Sequence, residues 1–212
     1  MHKHILNFKY HAGGISPVMG VILMLFLTLL LAGITVSSVY GGNIALFSGK
    51  VPMASIELEY AVGGVPNDVK YEENFLCLMH KGGDPLLTDS TRIVISGEGS
   101  GYEGVVPSGT RHYGEVFISY DNLLFEGKKP VYASRNADIS DGVWSAGEEL
   151  ILNGDDAING SMYSTVSVRI NEVTNTANHY GLKEDSTVII KIFDKHTQCI
   201  ISEFECLVIQ AE

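Results

Sequence analysis

Carboxylates are missing from the opening stretch of this chain. No Asp or Glu precedes Glu57, and the only bases there are Lys3, Lys9 and Lys50. Residues 57–212 hold all 25 acids and the other 11 bases, a net of −14. A region of that sign repels a phosphate backbone, so nucleic acid is excluded as a partner. Cysteine is scarce as well: Cys77, Cys199 and Cys206 are the only three, and no C-x-x-C occurs. Zinc-ribbon and thioredoxin-type chemistry therefore have no framework. The odd count leaves a thiol unless chains pair. Cys199 and Cys206 are an odd number of residues apart, so on one regular strand they face opposite sides and at most one of them meets Cys77.

Catalytic patterns are also lacking. His80, His112, His179 and His196 are scattered, with no metal-ligand pair at i, i+4. Asp138, Asp141, Asp155 and Asp156 fit no EF-hand spacing and read as solvated turns, with calcium as the alternative. Gly99-Ser100-Gly101-Tyr102-Glu103-Gly104 satisfies G-x-G-x-x-G, but Val105-Val106-Pro107 follows where a helix would be needed, so it reads as a flexible loop. No Ser/His/Asp or Cys/His set can be assembled. The expectation is a non-enzyme with no catalytic residue, no metal and no cofactor.

What the chain has is one apolar run and a series of strand-like segments. Ile15 to Tyr40 contains no charged residue. As a helix these 26 residues would extend ~39 Å, more than the ~30 Å hydrocarbon core of a bilayer. Lys3 and Lys9 would hold the N-terminus cytoplasmic and place the rest outside. Ser16 suits the N-cap and Pro17 the first helical position. The short basic stretch ends in Gly13-Gly14 before the apolar run begins, the reverse of an ordinary secretory signal; Leu31-Ala32-Gly33 inside the run is the alternative cut. Lys50-Val51-Pro52 then breaks the helix.

From Ala54 onward the pattern is β. Strands are predicted at 54–62, 75–80, 91–96, 114–120, 149–152, 164–171, 187–193 and 199–209, separated by turn signals such as Gly63-Gly64, Gly82-Gly83-Asp84-Pro85 and Asn153-Gly154-Asp155. The predicted fold class is α+β: a long N-terminal apolar helix followed by an all-β, sandwich-like head. Asn159-Gly160-Ser161 is the one glycosylation sequon, at Asn159.

The run Gly-Gly-Ile-Ser-Pro-Val-Met-Gly-Val-Ile-Leu-Met, residues 13–24, resembles the processing region of archaeal type IV pilins. Met19 stands where bacterial type IV pilins carry a glutamate, so the likeness is to the archaeal branch. A second likeness is Phe75 to Gly97, with the turn motif His80, Gly82, Gly83 and Asp84, followed later by Trp144-Ser145-Ala146-Gly147 and the closing hairpin. The bottom-up reading of that motif is architectural: the glycines make a turn and Asp84 bonds its backbone.

The resemblance implies a division into a cleaved leader, 1–14, a transmembrane and filament-core helix, 15–49, and an extracellular head, 50–212. Cleavage would fall between Gly14 and Ile15 by a prepilin peptidase. The core-helix residues would include Val18, Gly20, Leu23, Leu27, Leu30 and Gly33, the two glycines permitting close helix contacts. The implied function is a structural subunit of a surface filament for adhesion, with other copies, other pilins, the peptidase and the membrane as partners. The subunit would wait in the cell membrane with its head outside, then move to a cell-surface filament. The alternative is a membrane-anchored binding module, or a minor pilin that does not itself form filaments.

Overall fold

The computed structural model describes residues 17–36, 51–64, 69–104, 108–158, 163–174 and 176–211. The chain divides into two units, Met1–Ser48 and Gly49–Glu212. In the first, the described structure is helix α1, Pro17–Val36, 20 residues long. The second is built from twelve strands: β1 Ala54–Gly63, β2 Phe75–Gly83, β3 Leu86–Leu87, β4 Thr91–Glu103, β5 Thr110–Tyr120, β6 Val143–Trp144, β7 Glu149–Asn153, β8 Val166–Ile170, β9 Thr176–Leu182, β10 Thr187–Asp194, β11 Cys199–Leu207 and β12 Ile209–Gln210. Its one α-helix among the described residues is α2, Pro130–Arg135, opened by a proline in its first turn.

The α+β expectation is corrected by this inventory. The fold is mostly β, and of the 26-residue apolar helix read from Ile15–Tyr40, within the 15–49 division, the 20 residues of α1 are described, the remainder lying outside the described residues. Among the described residues no helix is long and apolar enough to cross a membrane. The expected transmembrane helix is therefore not supported. The localisation built on it is corrected with it: a membrane anchor with a cytoplasmic N-terminus and an external head is not supported.

Two sheets share one core in the second unit. The first has the order β12-β1-β2-β7 and the second β11-β10-β4-β5-β8, with β9 also paired to β4. Alternation explains the partition. Ile93 and Ile95 of β4, Val116, Ile118 and Tyr120 of β5, and Val188, Ile190 and Ile192 of β10 point inward and are buried, facing Leu76, Leu78, Leu150 and Leu152 of the other sheet. The clustered core runs from Ile56 to Val208, wholly inside Gly49–Glu212, so this unit carries a complete core of its own.

All eight strands read from the pattern appear, six of them with longer bounds; 164–171 shortens to Val166–Ile170, and 199–209 is divided at Val208 into β11 and β12. The glycine-rich run expected as a loop is instead the second half of β4, which pairs with β5 on one side and β9 on the other. A Cβ at Gly99 would overlap Gly181 O and sit 3.1 Å from Val116 Cγ1, so the missing side chain is what lets β9 close in. The cysteine parity is also corrected. A bulge between Ile192 and Phe193 in the β10–β11 pairing shifts the register, so Cys199 lies opposite Asp194 and Cys206 opposite Val188, both on the inward side. All three thiols are free.

Two buried asparagines are bonded to backbone. Asn136 serves β7 as a strand would, accepting from Ile151 N at 2.7 Å and donating to Ile151 O at 3.0 Å. Asn74 accepts from Leu182 N at 2.8 Å and donates to Lys70 O at 2.8 Å.

Gly82 and Gly83 end β2 and differ sharply in their surroundings. Gly83 has φ +102, and a Cβ there would strike Met53 O and lie 2.9 Å from Ala54 Cα, whereas Gly82 has open space. Gly83→Ala should lower the unfolding free energy of residues 51–212 by about 2 kcal/mol or more, and Gly82→Ala by no more than ~0.5 kcal/mol. Urea denaturation of the two variants measures the difference.

Candidate functional site

Helix α1 is apolar on every side. Pro17 opens it, and from there to Gly33 the single polar side chain is Thr28. Its hydroxyl donates to Leu25 O at 2.9 Å, so even that group is spent on the helix itself. The side chains are exposed throughout: Val18 is 65% exposed, Leu23 64%, Leu27 51% and Leu30 48%. At 100° per residue, Gly20, Leu23, Leu27 and Leu30 fall within about 80° of arc and form one stripe. Gly33 lies roughly 140° from Gly20, so the two glycines cannot face the same neighbour. No atom comes within 4 Å of a Cβ built at either. Gly14, Ile15 and Ser16, which carry the expected cut and cap, lie outside the described residues, as does Asn159.

The head turn motif is drawn together with the tryptophan motif more than sixty residues later in the sequence. Asp84 holds the start of β1 twice: its N–H donates to Met53 O at 2.8 Å, and its Oδ2 accepts from Met53 N at 3.1 Å. His80 is fully buried, and its Nε2 donates to Asp84 O at 3.1 Å. The backbone of His80 bonds Glu148 O at 3.1 Å and Gly147 N at 2.7 Å. Trp144 stands edge-on to the His80 ring at 5.8 Å and donates its Nε1–H to Glu148 O at 3.0 Å. The result is a clasp on the segment where chain enters the β domain. It holds backbone, and the other His80 ring nitrogen, Nδ1, is buried without a hydrogen-bond partner.

A second buried cluster escaped sequence reading. Tyr120 Oη lies 2.8 Å from Tyr180 Oη and donates to Asp156 Oδ2 at 2.9 Å. Asn153 N donates to the same oxygen at 2.7 Å, and Arg135 pairs with the other. Burial pushes the Asp156 carboxyl up to about 6, while the Arg135 guanidinium, the Asn153 amide and the Tyr120 hydroxyl pull it back. Burial likewise raises Tyr120 and Tyr180. Beside them, Lys129 pairs with Asp155, and His179 Nδ1 lies 2.8 Å from Asp155 Oδ1, close enough for an ion pair but without hydrogen-bond alignment. These residues come from positions 120 to 180 with no shared spacing, so only the fold could reveal them. Two of the candidate calcium carboxylates, Asp155 and Asp156, are thus committed to bases; Asp141 accepts from Val143 N at 2.9 Å.

Among the described residues no group of three or more His, Cys, Asp or Glu side chains could hold a metal ion. Burial raises the Cys206 thiol to about 11 and raises Cys77 too, which keeps both in the unreactive protonated form.

No family model matches the chain. An uncharacterized protein of Archaeoglobus fulgidus is 34% identical over 92 residues, which is 42% of this chain and 57% of that protein. The chain thus spans little more than half of that relative's length, and the relative's name says nothing of pilins or pili. The keywords transmembrane helix and pilus drawn from the sequence are corrected here: no membrane-crossing helix stands among the described residues, and the comparison names no pilin.

Asp156 gives the cluster a pH dependence. Between the unfolded carboxylate value, ~3.9, and about 6, the folded chain keeps a proton that the unfolded chain has released. Stability should therefore fall as pH rises through that window, by on the order of 2 kcal/mol. Thermal unfolding of residues 51–212 from pH 4 to 7 measures it, and Asp156→Asn should flatten that slope.

Proposed function

We propose that this chain is the structural subunit of a filament of the archaeal type IV pilin kind, held together by α1 packing against the same helix of other copies and of related subunits. One observation carries the reading: α1 exposes large apolar side chains around its whole circumference. A helix polar on one side can rest on a protein surface, but one with no polar side requires apolar contact all round. Each Leu, Val or Phe left in water forgoes ~1.5–3 kcal/mol. A bundle of identical helices supplies that contact, and the glycines at 20 and 33, facing different directions, would admit close approach on two sides. The acidic residues all lie outside this helix, so their mutual repulsion would keep the β domains apart while the helices converge.

The resemblance of residues 13–24 supports the same reading. A prepilin peptidase acting between Gly14 and Ile15 would release a subunit that begins with Ile15.

Assembly should depend on the stripe. Leu27→Asp would bury an unpaired carboxylate in a dry bundle at a cost of several kcal/mol. The full chain carrying this change should give no filaments by negative-stain microscopy or in the sedimented fraction. Glu172→Gln, on the exposed surface of the β domain, should leave assembly intact. N-terminal sequencing of the assembled wild-type subunit should read from Ile15. A processed wild-type chain that never assembles, or a Leu27→Asp chain that assembles normally, would sink the reading.

A further inference from the structure

We draw no further inference here: the strongest candidate, the open outer face of the six-stranded sheet with Val94, Phe117 and Ile189 at its centre, is an unpartnered surface, and nothing in the structure shows what covers it.

Discussion

One stretch of chain belongs to both sheets, and the β domain depends on it. β11 lies at the edge of the larger sheet, and β12, one residue later, pairs with β1 in the smaller. The residue between them, Val208, is fully buried. Its N–H donates to Ser186 O at 2.9 Å and its carbonyl accepts from Asp185 N at 3.0 Å, so the crossing leaves no backbone group unsatisfied. The two sheets are thereby fixed to one another at the same edge where β1 passes beside β11. Position of the core side chains, the clasp around Met53 and the open outer face all follow from that fixed relation.

Elsewhere the domain manages its unpaired backbone with asparagine. Asn74, Asn136 and Asn153 are each about 1% exposed, and each presents donor and acceptor to main-chain atoms. A carboxamide carries the same donor–acceptor pair as a peptide unit, so it can close a strand edge where no strand is available. Aspartate has the shape without the donor. That chemical difference separates these three residues from the surface acids; the charged groups buried among the described residues are the Arg135-paired Asp156, Asp194, which accepts from Thr197 N and Oγ1, and Lys128, whose ammonium is held by Leu124 O and Thr165 Oγ1 at 2.7 and 2.9 Å.

Strands were the legible part of the sequence because one side of each faces the core and the other does not, as in Thr187–Asp194, where buried and half-buried residues alternate. The glycine-rich end of β4 was misread as a loop because its role depends on β9, a partner some eighty residues away in sequence. The bulge that brings Cys199 and Cys206 to one side has no local signal either. The apolar segment was legible as helix, and α1, Pro17–Val36, falls within it. His80, Gly83 and Asp84 could be recognised as a turn; that they grip Met53, with Trp144 packed against His80, could not, because nothing in the spacing joins 53, 84 and 144. The tyrosine–aspartate cluster was invisible for the same reason, its members being gathered from four separate segments.

The pairing of β1 with β12 has a mechanical consequence. It is parallel, with Val62 opposite Ile209 and Gly63 opposite Gln210. Tension applied between Val51 and Ala211 would draw these two strands in opposite directions along their length. Their hydrogen bonds would then be strained together, in shear, instead of opening one after another as in a peeled hairpin. Shear loading requires several bonds to break at once, so the domain should resist stretching along this axis better than its thermodynamic stability alone would indicate. The clasp at Met53 lies in the path of the same load and would share it.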